Sequence, residues 1–251
     1  MPFTVSHVAA VLPVIGRSGR LPAAALVIGS MAPDVPWFFT GGRGAGLTHS
    51  ALGVLTVDLV VGLAAVLVWW RWLHAPVRDL APPRIGERLP VPRAVTPGLL
   101  PWAAVAVVVG AVTHVVWDGF THAGRWGVDL VPWLRAEHLG LPGYKWAQFA
   151  SGMIGGLVVV LFCARHLSRA VPDRSALRSS DRQRRAAWAL VAGTGGLGAL
   201  VGVLGAAGSL ESALFGAVTR GGAAAAVGTV GVCVWWWTAA VSSRPVEVGR
   251  R

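Results

Sequence analysis

The stretch Thr113-His114-Val115-Val116-Trp117-Asp118-Gly119-Phe120-Thr121-His122 sets three metal-ligand side chains four residues apart at the end of a strongly apolar run. Imidazoles and carboxylates are costly to leave unpaired near a membrane, so each asks for a partner. On a helix, positions i and i+4 share a face with Cβ atoms roughly 6 Å apart, a spacing that lets His114 and Asp118 grip one cation. The same residues have a plainer reading, as interface histidines bonded to neighbouring loops and a carboxylate that caps or pairs.

The elements that must position them follow from composition. Of 251 residues, 54% are hydrophobic and 13% charged, with a mean hydropathy of +0.61; soluble domains carry about 25% charged residues. Apolar windows near 50–70, 97–117, 148–164, 186–206 and 221–241 approach the roughly 20 residues a bilayer crossing needs. They predict an all-α polytopic bundle of about five transmembrane helices in one integral membrane domain. Its metal-site half is expected over 1–147 and its packing and anchoring helices over 148–251. Gly152/Gly156 and Gly198/Gly202 have the spacing that lets membrane helices approach closely, and read as packing.

The net charge of +11 resides mostly in arginines between the apolar runs. Arg71, Arg78, Arg84, Arg88 and Arg93 fill one loop; Arg165, Arg169, Arg174, Arg178, Arg182, Arg184 and Arg185 fill another. Charge so placed is topogenic and puts both loops in the cytoplasm, with no nucleic acid as partner. The segment 118–147 balances its charges and belongs outside, whereas the carboxyl tail, with Arg244, Arg250 and Arg251, returns inside. Cys163 and Cys233 lie in separate apolar runs and fit neither a disulfide framework nor a zinc ribbon. The first residues lack the positive region of a secretory signal, so the amino terminus is expected to be retained.

Before residue 50 the apolar pieces are interrupted by Pro13, Pro22, Pro33 and Pro36. Pro22 suits the first turn of a helix, and Pro33 should end it near Ala32. Segment 21–39 is expected to be either a kinked crossing helix or a re-entrant or surface-lying piece, and the re-entrant form is favoured because a full crossing would send His7 to the wrong side. His49 and the pair His114 and Asp118 then lie at one membrane level, where His7 and Asp34 can join them. Asp58, nine residues from His49, is half a turn out of phase on a continuous helix and should face elsewhere, as a buried polar partner or a transport group.

The opening Met-Pro-Phe-Thr-Val-Ser-His-Val-Ala-Ala-Val-Leu-Pro, with Gly29-Ser30-Met31-Ala32-Pro33-Asp34, Thr48-His49-Ser50 and His114-xxx-Asp118, resembles an uncharacterised bacterial family of polytopic membrane proteins over most of the chain. That family is similar to membrane-bound metal-dependent hydrolases, which share the order His, Pro-Asp, His-Ser and His-xxx-Asp. More distantly, the ligand order resembles that of the zinc-dependent phospholipase C and P1 nuclease group. The resemblance implies that Asp34, His49, His114 and Asp118 hold one cation and that Asp118 reaches a second shared with His7. His122 would take an additional or alternative position, since it stands about 12 Å along an ideal helix from His114. The later His-xxx-Glu of the phospholipases is represented here only by adjacent Glu137-His138.

One or two divalent ions, zinc by this resemblance, would support phosphoester hydrolysis. An outer-face site in a multi-pass protein of the cell (inner) membrane, bounded by the lipid bilayer, suggests a lipid or lipid-linked substrate, with Arg125 and Arg135 as phosphate contacts. The alternative is a non-catalytic transporter or scaffold in which the histidines are structural. No inverted repeat favours the transporter.

Overall fold

The computed structural model describes residues 4–36, 44–92, 94–173, 177–206 and 208–242. Arg93, Arg174, the tail arginines Arg244, Arg250 and Arg251, and the Met-Pro-Phe opening lie outside the described residues. Helix dominates, and the sheet among the described residues is one antiparallel pair, Glu137–His138 with Leu141–Pro142.

Among the described residues, five helices are long and apolar enough to cross a membrane, consistent with an all-α polytopic bundle. We denote the short apolar helix Ala23–Gly29 α1. The long helices are α2 (Ala51–Leu80), α3 (Leu100–Thr121), α4 (Gly143–Arg169), α5 (Asp181–Leu204) and α6 (Leu210–Ser242). Serines start two of them. Ser50 accepts the Gly53 N–H at the head of α2, and Ser180 forms a reciprocal capping box with Gln183 at the head of α5. Pro22 is the N-cap residue of α1, which gives way at Ser30 to a 3₁₀ turn, Ala32–Asp34. Together Ala23–Asp34 make an apolar piece shorter than the long helices.

The chain divides into two compact units that interleave in sequence: Met1–Trp69 with Ala94–Arg169, and Trp70–Arg93 with Ala170–Arg251. In the first, α3 buries Ala103, Ala106, Val107, Gly110, Ala111, His114 and Asp118, a stripe at three- and four-residue steps. Its small residues admit α1 at backbone distance. A Cβ on Gly110 would fall 2.5 Å from the Leu26 carbonyl oxygen and from the Ser30 nitrogen. Gly155 of α4 packs on Ser6, so the close approach in that helix is made one residue before Gly156, which faces open space.

In the second unit α5 and α6 pack through glycine. Gly202 meets the Gly216 backbone and Gly198 the Arg220 carbonyl, as the spacing predicted. Buried Asp79 gathers donors around it: the Arg178 and Ser179 amides at 2.6 and 3.1 Å, the Ser179 hydroxyl at 2.7 Å and the Trp236 indole at 2.7 Å. Arg78, equally buried, donates to the Leu89 carbonyl and to Asp173. Two of the loop arginines, Arg78 and Arg184, are thus structural clasps as well as loop charge.

Candidate metal centre

Two short turns and one long helix bring the four-residue cluster together. The 3₁₀ turn after α1 ends on Asp34. A one-turn helix, Ala45–Thr48, ends on His49 in a non-helical conformation, φ −102° and ψ 33°. Gly53 then lets the head of α2 lie against that turn, since a Cβ there would collide with the Leu47 carbonyl. The last turns of α3 contribute His114 and Asp118.

Asp34, His49, His114 and Asp118 each offer one atom to a common point, all four within 4.8 Å of one another. His49 Nε2 lies 3.6 Å from Asp34 Oδ1 and 3.2 Å from Asp118 Oδ2; His114 Nε2 lies 3.5 Å from each of the same two oxygens. Donors held about 2.1 Å from a tetrahedral cation stand about 3.4 Å apart, whereas charge-assisted hydrogen bonds run about 2.8 Å. Three of the four edges, at 3.5 to 3.6 Å, fit the first spacing better than the second. His114 Nε2 and Asp34 Oδ1 have no hydrogen-bond partner although both residues are buried. Buried polar atoms are seldom left so, and a cation at the common point satisfies them. The donor set of two imidazoles and two carboxylates suits a borderline divalent ion.

The outer faces of these ligands are tied down. His114 Nδ1 donates to the Ser30 carbonyl at 2.8 Å, and His49 Nδ1 to the Ala45 carbonyl at 3.0 Å. A carbonyl only accepts, so in both rings the proton sits on Nδ1 and the Nε2 lone pair faces the cluster. Thr4 donates its hydroxyl to Asp34 Oδ2 at 2.7 Å, leaving Oδ1 to point inward. Supports of this kind orient metal ligands, and the two carbonyls also raise the basicity of the imidazoles whose N–H they accept.

Asp118 divides its carboxylate. Oδ2 serves the four-atom point, while Oδ1 faces His7 Nε2 at 3.4 Å and His122 Nδ1 at 3.3 Å. His7 stacks on His114 with centroids 3.8 Å apart, and neither of its ring nitrogens is hydrogen-bonded. Gln148 Nε2 lies 3.0 Å from His122 Nε2, so the end of the amide that faces the ring governs which ring nitrogen carries the proton.

Burial and charge shape the outer members of the cluster. Desolvation by burial brings His7 down to about 4 and keeps it neutral. Burial pushes Asp34 up, but the imidazoles of His114 and His49 and the Thr4 hydroxyl outweigh it and hold the carboxyl well below its usual range. Burial pushes His49 down, yet the carboxylates of Asp118 and Asp34 leave it raised overall.

Six of the eight residues singled out from sequence therefore meet here: His7, Asp34, His49, His114, Asp118 and His122. Arg125 lies at the edge, its Nη1 3.5 Å from the His49 carbonyl. Arg135 is exposed at the end of the short helix Pro132–Arg135, and no contact links it to the cluster among the described residues. Sequence reasoning missed Thr4, the Ser30 carbonyl and Gln148. Thr4 and Ser30 lay inside the motifs already noticed, and Gln148 was visible as an amide near the start of an apolar helix.

The phase argument that set Asp58 apart from His49 does not hold in the structure. Asp58 is fully buried, and His49, His114 and Asp34 lie within its electrostatic reach. The phase count presumed a helix continuous from His49. Ser50 is in fact extended, at φ −126° and ψ 162°, and Val54–Asp58 is a π-helical segment whose wider turn shifts the phase again.

A family model described as a domain of unknown function (DUF4184) matches residues 1–235. No curated protein and no solved structure gives a significant match.

Proposed function

The chain belongs to the DUF4184 family, a domain of unknown function, and from that premise we propose that it is a membrane-embedded, metal-dependent hydrolase of phosphoesters, lipid or lipid-linked, working with one or two zinc ions at the outer membrane face. The observation that carries this reading is the convergence of Asp34 Oδ1, His49 Nε2, His114 Nε2 and Asp118 Oδ2, with two of the four lacking any hydrogen bond. Structural histidines would normally be satisfied by the groups around them; His114 is satisfied only on its Nδ1 side.

When bound, a divalent cation at such a site acts as a Lewis acid and makes water a usable nucleophile near neutral pH. The protein's own residues would do the rest. Asp34, His49, His114 and Asp118 hold the first position, and the Oδ1 side of Asp118 with His7 and His122 offers the second. The guanidinium of Arg125 stands beside the His49 backbone, in reach of an anionic group entering there; Arg135 would meet the substrate farther out. The apolar side chains exposed on the loop after α3, Trp126, Leu130 and Trp133, suit a substrate that arrives from lipid.

The test is metal analysis of detergent-purified protein with hydrolysis of a short-chain phospholipid and a soluble phosphodiester. Stoichiometric metal and turnover that vanish together in His114→Ala support the proposal. Protein free of metal, or turnover untouched by His114→Ala, overturns it.

A further inference from the structure

Asp58 is a group the proposed chemistry does not use. Its residue is 0% exposed, and neither carboxylate oxygen has a hydrogen-bond partner. It ends the π-helical segment Val54–Asp58, directly before the apolar stretch Leu59–Val68 of α2. The segment Val54–Asp58 packs against the one-turn helix before His49, against the 3₁₀ turn of Asp34 and against α3, and the titratable groups of those elements within electrostatic reach of Asp58 are His49, His114 and Asp34. These are three of the four residues of the candidate cation position, and no ion pair joins Asp58 to any of them among the described residues.

An ionised carboxylate without donors in apolar surroundings is far costlier than the neutral acid. A divalent cation entering between His49, His114 and Asp34 reverses the balance, because it sets two positive charges within electrostatic reach of Asp58 where low dielectric screens them little. π-Turns inside α-helices occur frequently at functional positions, and this one ends on Asp58.

We propose that Asp58 is the proton-exchange group of the cluster: its carboxyl holds a proton while the cluster is empty and gives that proton to solvent when a divalent cation enters. The O–H bond of the acid breaks, the electron pair stays on the carboxylate, and no oxidation state changes. This rests on the reading of the cluster as a cation site, and it makes the affinity for that cation fall with acidity through a residue that does not touch it.

Infrared difference spectroscopy on the full chain in detergent, with and without zinc chloride, tests this. The metal-free protein should show the carbonyl stretch of a protonated carboxylic acid, and zinc should remove it. Asp58→Asn should lack the band, and Asp58→Glu should shift it, which secures the assignment if the asparagine variant does not fold. Calorimetry in buffers of different ionisation enthalpy should count about one proton fewer released per zinc in Asp58→Asn than in the unaltered protein. Zinc binding with the band unchanged, or no such band in metal-free protein, overturns the exchange while leaving the cation site standing. Protein that binds no zinc overturns both.

Discussion

The ring of His7 lies stacked on that of His114, 3.8 Å between centroids and 22° from parallel, yet the two are held differently. His114 is anchored to the Ser30 carbonyl, whereas both nitrogens of His7 are buried without a partner. A stacked, neutral, unsatisfied imidazole with Nε2 toward Asp118 Oδ1 has the properties of a ligand awaiting a second cation.

Replacement of His7 therefore separates the two positions. His7→Ala should lower bound metal from two ions to one and leave Asp34, His49, His114 and Asp118 able to hold the first. Metal counting by mass spectrometry checks this; equal content in both proteins would show that His7 holds no ion.

The same residue predicts an acid limit for the metal-free protein. Its folded value of about 4 lies below the 6.5 of an exposed imidazole. The unfolded chain takes up a proton first as pH falls, so the stability linked to neutral His7 is complete above pH 6.5 and is lost on the way down to about 4. Thermal unfolding in detergent with chelator present should show this loss across that window, on the order of 3 kcal/mol. His7→Phe, which keeps the stacked ring without the titration, should flatten the profile.

Metal removal should itself destabilise the fold. A ligand present at about 100 times its dissociation constant contributes about 2.7 kcal/mol, worth roughly 5–10 °C in a chain of this size. Chelation should lower the melting temperature of the unaltered protein by that amount and leave that of Asp118→Ala nearly unmoved.

Gly110→Ala probes the support behind His114. The new Cβ would press on the Leu26 carbonyl and the Ser30 nitrogen, forcing α1 off α3 at a cost of roughly 1–3 kcal/mol. Because the carbonyl of Ser30 orients His114, metal affinity should fall about 10–100-fold although no ligand has changed. A titration with unchanged affinity would show that the ring keeps its aim without this contact.

Asp79→Ala is the contrasting case. It removes the acceptor shared by Arg178, Ser179 and Trp236 and deprives buried Arg184 of a partner. Loss of roughly 3 kcal/mol is expected, with metal content per folded molecule unaltered.

Much of this arrangement was legible before any coordinates. The apolar windows located five spanning helices because bilayer thickness imposes a length. The four-residue steps from His114 to His122 located one edge of the cluster because helix geometry is periodic. What escaped lay where periodicity stops. The phase argument for Asp58 fails because one extended residue, Ser50, and one π-turn interrupt the helix it presumes. Thr4 and the carbonyls of Ser30 and Ala45 support the ligands from irregular backbone, which no spacing rule describes. Pro33 placed the end of α1 near Ala32, whereas the helix ends at Gly29, and the Ser30 carbonyl just past it meets His114 Nδ1.

The ligand set runs from His7 to His122, with Gln148 behind it, and this fixes an order of events during synthesis. His7, Asp34 and His49 emerge from the ribosome long before Asp118 exists to meet them. Until α3 has been made, His7 and His49 lack the Asp118 carboxylate that lies between them in the folded chain. A chain ending before α3 would carry His7, Asp34 and His49 without the two residues, His114 and Asp118, that complete the cluster.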